Sequence, residues 1–230
     1  MTASHGGKKM WCIPGELDKE YIARMENILD LLGKPICRSE PVVCLDERPV
    51  QLHAEIRQPL PVARGRIRKR DSEYRRRGTA NVFAIVAPLE GHHLTMATRN
   101  RKSKEFAKML GRISRRYPDA RKIHLIMDNL NTHSEKSLIK FYGEKMGNRL
   151  WNRFNVHYTP KHGSWLNPAE IEISLFSREC LGRERISKFL DMKERIQAWT
   201  RRANRRKRTI DWKFTKRKAR AKFKYSKRNN

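Results

Sequence analysis

The chain has 230 residues, of which 33% are charged and 38% hydrophobic, enough for one substantial domain with terminal extensions. Lys and Arg outnumber Asp and Glu 53 to 24, a formal net charge of +29, so the simplest compensating partner is a polyanion whose condensed counterions are released on binding. The longest mainly apolar run, residues 82–89, is too short to cross a bilayer, and Cys12, Cys37, Cys44 and Cys180 show neither a disulfide framework nor zinc spacing.

The start, MTASHGGKKMWCIPG, lacks an apolar signal core, and residues 1–15 read as unstructured. A helical pattern begins at Asp18 and runs through Leu32, with Tyr21, Met25, Ile28, Leu29 and Leu32 on one face. The segment GKPICRSEP is a linker into Val42–Leu45, a short, continuously apolar run of the kind a central strand shows, which ends on Asp46. A long basic excursion follows, including GRIRKRDSEYRRRG at 65–78. Its bland reading is a solvated loop; the overall charge favours contact with DNA.

Residues 80–87 form another strand, Gly91 turns the chain, and 93–99 pairs back as a hairpin. Phe106, Met109, Leu110 and Ile113 then make the stripe of an amphipathic helix. Ile123, Leu125 and Met127 alternate in a strand that stops at Asp128. A helix over 135–146, a strand over 154–160, a helix over 169–180 and another around 187–203 complete the order. This is an α/β fold, a mixed sheet with helices packed against it.

Two acids stand out by position. Asp46 and Asp128 each close an apolar strand, and neighbouring strands ending at one sheet edge bring such carboxylates together. A third acid comes from HGSWLNPAEIEIS at 162–174. There Asn167 reads as an N-cap, Pro168 as the first helical residue, and Glu170 as a capping-box partner reaching back to Asn167. The same Glu170, or Glu172, is equally placed to join the two aspartates. Crowded carboxylates in so basic a chain stay ionised when a hard cation such as Mg²⁺ sits between them, and Mg²⁺ keeps open positions for water and phosphate oxygens. Two such ions clamp the entering and leaving oxygens of a phosphoryl displacement. Periodicity does not choose between the glutamates: they flank the apolar face formed by Ala169, Ile173, Phe176 and Cys180 and point in different directions.

The motifs LDE at 45–47, DNLNTH at 128–133 and SWLNPAE at 164–170 resemble, in order, those of the DDE transposases. The likeness is to the bacterial insertion-sequence branch of the mariner-type superfamily, the six-thirty family of DDE superendonucleases, and the flanks WCIPGELDKEYIARMENILDLL and RRGTANVFAIVAPLEG share it. It runs from about Trp11 to the C-terminus. The resemblance implies an RNase H-like fold, DNA cleavage at the ends of an insertion sequence, and strand transfer by the liberated 3′-hydroxyl. It also implies metal-binding roles for Asp46, Asp128 and Glu170, with Glu172 as the fallback. The expected cofactor is Mg²⁺, two ions, with Mn²⁺ as a substitute. The expected partners are double-stranded DNA, both element ends and target, and a second copy of the chain.

His133, singled out by the DNxxxH pattern, either works near the metals or is a polar surface residue beside a helix cap. Asn129 is a candidate supporting partner of the second aspartate, and Trp165 reads as core packing rather than a base-stacking platform. In the tail, Trp212, Phe214, Phe223 and Tyr225 are interleaved with Lys and Arg, a pattern suited to nucleic-acid contact, with some of the aromatics docked on the domain. The expected organisation is an N-terminal helix and linker over 1–40, the catalytic domain over 41–203, and a basic tail over 204–230. Family members carry N-terminal helix-turn-helix modules. Ten residues before Trp11 leave no room for them, so the chain reads as the catalytic part, with a separate helix-turn-helix chain as the candidate source of end recognition. A prokaryotic cytoplasm, at the nucleoid, is the expected location. The competing readings are a non-catalytic basic nucleic-acid-binding protein or inactive remnant, and a nuclease of the same fold without strand transfer.

Overall fold

The fold is that of a computed structural model, described for residues 17–182 and 184–225. The expectation of an unstructured start falls largely outside these residues. Five strands form one mixed sheet: β1 (Val42–Glu55), β2 (Tyr74–Ala87), β3 (His92–Thr98), β4 (Ile123–Met127) and β5 (Phe154–Tyr158), in the order β3-β2-β1-β4-β5. β1, β2 and β3 are an antiparallel meander, whereas β4 and β5 run parallel to β1. The helices are α1 (Lys19–Leu32), α2 (Ser103–Arg116), α3 (Glu135–Tyr142), α4 (Glu144–Trp151), α5 (Ala169–Phe176), α6 (Phe189–Arg206) and α7 (Lys216–Phe223).

Side-chain alternation divides the sheet into two faces. On one, Val43, Leu45, Phe83, Ile85, Leu125 and Met127 pack against Phe106, Met109, Leu110 and Ile113 of α2 and Leu138 of α3. On the other, Cys44, Val86 and Ile126 meet Tyr21, Met25 and Ile28 of α1 and Ala169 of α5. That second core continues along the meander, where Leu52, Ala80 and Val82 receive Phe176 and the Met192, Ile196 and Trp199 stripe of α6.

Several boundaries differ from the sequence expectation, each for a physical reason. β1 does not end at Asp46 but runs to Glu55, because β2 remains paired with it through Glu55–Tyr74. The two strands leave the sheet body as an exposed ribbon, so Arg75, Arg76 and Arg77 lie in a strand rather than a loop. The ribbon's tip is anchored: Arg185 donates to the carboxylate of Glu55 and to the backbone carbonyls of Asp71, Ser72 and Glu73. The helix expected over 135–146 is two helices, broken at Gly143, whose φ of 80° favours a residue without a Cβ.

The tail folds back rather than trailing. Trp212, Phe214, Phe223 and Tyr225 pack beside Trp165 and α1, while Arg220 and Tyr225 bond to Glu26 and Lys216 to Asp30. These aromatics are therefore core-side groups, not free stacking platforms, and Trp165 packs among them with its indole N–H donating to the Tyr21 hydroxyl at 3.3 Å. Cys37, Cys44 and Cys180 are free thiols. No helix among the described residues is long and apolar enough to cross a membrane.

One packing contact makes stability depend on pH. His124 of β4 and His157 of β5 share a hydrogen bond of 2.9 Å, and burial holds both imidazoles below their ordinary pKa, His157 at about 4. The unfolded chain titrates near ~6.5, so between there and about 4 it takes up protons that the folded chain refuses. Stability contributed by this pair is complete above that window and falls as pH drops through it. The expected slope in urea unfolding is at most about 1.4 kcal/mol per pH unit per histidine, reduced by solvent screening. A His157→Leu variant, which cannot take up the proton, should lose that part of the slope.

Candidate active site

The site forms where the parallel ladder stops. β1 and β4 are paired from Val42–His124 to Cys44–Ile126 and no further. Asp46 lies two residues beyond the last pair on β1, and Asp128 directly follows β4. The expectation that both acids meet at this edge is met in position, although Asp46 sits inside a strand that continues past it.

Asp46 shares the face of Cys44, toward α5. Its carboxyl is pushed up to about 7, by burial above all; the Glu47 backbone N–H opposes this at 2.7 Å, and the charges of Glu170, Asp128 and Glu47 add to it. Three acids thus act on one carboxyl. Among the described residues, no three acid, His or Cys side chains already close around a single ion position. The donor set nevertheless suits a hard divalent cation, since Asp46, Asp128 and Glu170 offer only carboxylate oxygens and a cation would offset the burial and the repulsion that together push the Asp46 carboxyl up.

The ambiguity of the LNPAE segment is resolved by its hydrogen bonds. The Asn167 backbone N–H donates to the Ser164 carbonyl at 2.7 Å, so it is not the partner of a reaching Glu170 carboxylate, and no capping box forms. Pro168, at the boundary of α5, is already helical, while Asn167 is extended and its side chain accepts from the Ala169 N–H, so Asn167 has the N-cap role expected of it, without the box. Asn167 also works as a clip. Its side chain is buried, accepts from the Ala169 N–H at 3.1 Å and donates to the Leu45 carbonyl at 2.8 Å. One amide therefore ties the residue before Asp46 to the residue before Glu170. Gly163, just upstream, has to be glycine, because a Cβ there would collide with the Pro160 ring.

Glu170 is half-buried and its charge reaches Asp46, whereas Glu172 is 3% exposed and faces His93 of β3 at 3.1 Å. Geometry thus favours Glu170 over the fallback. His133 is 1% exposed, which removes the surface-residue reading. It stacks on Phe106 and stands between two acids, with Nδ1 2.6 Å from Asp128 and Nε2 3.1 Å from Glu47. Burial is the largest influence on its pKa and disfavours charge, but bonds to Asp128 and Glu47 and their negative charge together outweigh it. The imidazole is held at about 9, protonated at neutral pH. Glu47 and His93 carried no signal in the sequence beyond lying in or near a motif; only their burial beside charged partners marks them.

Beside Asp128 and Asn129 opens a cleft of about 650 Å³, walled by Asp18, Tyr21 and Arg24 of the α1 end and by Lys161, His162 and Ser164. It carries both signs of charge.

A mixed sheet of this order, flanked by helices on both faces and carrying acids where its central parallel strands part, is an RNase H-like fold. Residues 41–193 match the profile of the DDE superfamily endonucleases, and the chain belongs to that family. Its fold is similar to that of the Mos1 mariner paired-end complex with Mn, with a TM-score of 0.56 and 14% identity over 87% of this chain and 60% of that one. The Mos1 strand transfer complex matches with a TM-score of 0.54 and 14% identity, over 82% of this chain and 56% of that one. The Mos1 paired-end complex with Mg gives 0.52 and 15%, over 86% and 60%. The chain thus spans less than two thirds of the length of these structures. No functionally curated relative matches it.

Replacing Asn167 with Ala would orphan the Leu45 carbonyl and free the start of α5. The expected cost is about 1–3 kcal/mol in urea unfolding. Nuclease activity should fall further than that loss of folded protein explains, when rates are compared at a temperature where the variant is fully folded.

Proposed function

We propose that this chain is the catalytic domain of a transposase, a metal-dependent DNA endonuclease and strand transferase acting at insertion-sequence ends. The observation that carries the reading is the effect of Glu170 and Asp128 on Asp46, in a chain of the DDE superfamily endonuclease family. Asp46, Asp128 and Glu170 are the proposed metal ligands and catalytic residues. Residues 41–203 form the proposed catalytic domain, between the 1–40 segment and the 204–230 tail. Mg²⁺, as two ions, or Mn²⁺ in its place, would supply Lewis-acid stabilisation of the phosphorane-like charge and activation of the attacking oxygen.

The protein's own groups do the rest. Asp46, once deprotonated, presents carboxylate oxygens toward the edge where the strands part. Asp128 is oriented by His133, whose second nitrogen is held by Glu47. Asn167 keeps β1 and α5 in register, so that Asp46 and Glu170 face one another. The exposed arginines of the β1–β2 ribbon and the basic face of α6 would bind the phosphate backbone with little sequence preference. The substrates proposed are double-stranded element ends and target DNA. A homodimer is proposed because two ends have to be brought together, with end recognition from a helix-turn-helix module on another chain, in a prokaryotic cytoplasm at the nucleoid.

The test compares cleavage and joining of end-containing DNA by the wild type and by Asp46→Ala, Asp128→Ala and Glu170→Ala. Each variant should lose more than the roughly 10–100-fold that mutation of an outer supporting residue costs, while DNA binding at fixed salt stays close to wild type. Product formation that survives all three substitutions would sink the assignment. Binding with no chemistry in the wild type would favour the non-catalytic reading, and cleavage without joining the plain nuclease.

Acidity supplies a second check. Below about pH 7 a proton occupies Asp46 and has to leave before the carboxylate can ligate a cation. Metal affinity should therefore weaken by up to about tenfold per pH unit below that point. Isothermal titration with Mn²⁺ at several pH values would read this, and Asp46→Asn should flatten the dependence.

A further inference from the structure

α5 has to hold Glu170 at a fixed angle, and it is a short helix, Ala169–Phe176, lying across β1 and β2. Catalytic constellations tolerate only about 10–20° of misorientation. Buried Ala169 and Phe176, the latter edge-on to Trp199, seat the apolar side of the helix. Two buried polar contacts add to that packing. At the helix start, the Asn167 amide fixes Ala169 to Leu45. One turn on, Glu172 reaches away from Asp46 toward β3, where its carboxylate lies 3.1 Å from Nδ1 of His93.

Neither member of this pair touches the cleft beside Asp128. Both side chains are almost fully buried, 2% exposed for His93 and 4% for Glu172. His93 is itself fixed. Its backbone N–H donates to Asn204 Oδ1 at 2.7 Å, its carbonyl accepts from Asn204 Nδ2 at 2.9 Å, and its ring meets the edge of Trp199. A buried carboxylate–imidazole pair is a weak source of stability, since two apolar side chains of similar volume commonly do as well. The two groups are close without hydrogen-bond geometry, and what the pair has and an apolar pair lacks is an attraction that weakens as the carboxylate leaves the imidazole. Residues two apart on a helix point about 200° from one another, so a roll that would carry Glu170 off Asp46 also pulls Glu172 off His93.

We propose that Glu172 and His93 are positioning residues: their buried contact sets the rotation of α5 and thereby aims Glu170 at Asp46. This rests on the reading of Glu170 as a metal ligand. It also assigns Glu172 a role opposite to ligation, on the far flank of the helix.

The experiment is a Mn²⁺ titration of the full chain, followed by the electron paramagnetic resonance of free Mn²⁺, alongside urea unfolding. The variants are Glu172→Gln, Glu172→Leu, the double His93→Leu/Glu172→Leu, and Glu170→Ala. Glu172→Gln keeps a polar group of the same shape against the imidazole and should bind within about threefold of wild type, whereas Glu172→Leu should weaken binding on the order of tenfold. The double variant is decisive, because it removes the unpaired group and should fold with near wild-type stability even where Glu172→Leu does not. It should still bind Mn²⁺ about tenfold more weakly. Wild-type Mn²⁺ affinity in the folded double variant would overturn the proposal, since the pair would then serve the core alone. The underlying reading fails separately: it is lost if Glu170→Ala binds Mn²⁺ as tightly as wild type, whatever the Glu172 variants do.

Discussion

The site depends on where one ladder of hydrogen bonds ends. β1 and β4 are parallel partners for three residue pairs and part after Cys44–Ile126. Had the pairing continued, the carbonyl of Leu45 and the chain after Met127 would be committed to the sheet, and no opening would exist between Asp46 and Asp128. The parting leaves a buried carbonyl that needs a donor. The Asn167 amide supplies it, and in doing so brings the start of α5, with Glu170, over the opening. Satisfying one backbone group and assembling three acids are the same event.

Electrostatics then decides what the opening is for. A chain with a formal charge of +29 has little reason, on stability grounds, to gather carboxylates at one partly buried edge. Burial above all, and the neighbouring acids with it, push the Asp46 carboxyl up to about 7. Elsewhere among the described residues, buried and part-buried acids have a basic side chain beside them: Glu47 has His133, Glu172 has His93 and Glu55 has Arg185. Among the described residues, Asp46 meets acids and its neighbour's N–H and no cationic side chain. That is the setting the proposed metal role calls for, since a bound cation would be the largest local charge there.

Much of this was legible from residue order. Apolar runs located the central strands, and the stripes of α1, α2 and α6 were visible as periodicity. Three motifs in sequence gave the acids and, by resemblance, the family. The limits are as informative. Local pattern put the end of β1 at Asp46 because the apolar run stops there, but a strand ends when its partner leaves, and β2 stays for nine more residue positions. The α3–α4 break was hidden because Gly143 is tolerated within a helical pattern, and its positive φ is visible only in the fold. The tail looked like a nucleic-acid arm because Trp and Phe among Lys and Arg fit that use. The expectation that some of its aromatics dock on the domain is met; that all four settle beside Trp165 and α1 is visible only in the fold.

The choice between Glu170 and Glu172 shows most clearly what a third dimension adds. Angular position on the helix was neutral, since each glutamate flanks the apolar face by a similar amount. What separates them is what lies beyond each flank: the opening after Cys44 on one side, and His93 on an outer strand of the meander on the other. The two acids are chemically identical and two residues apart, yet one faces carboxylates and the other an imidazole. A helix with only one of them could roll toward its single anchor without opposition. With both, as proposed, the buried Glu172 would hold the angle at which the half-buried Glu170 works, which makes the second glutamate of AEIEI part of the site's construction and not a ligand.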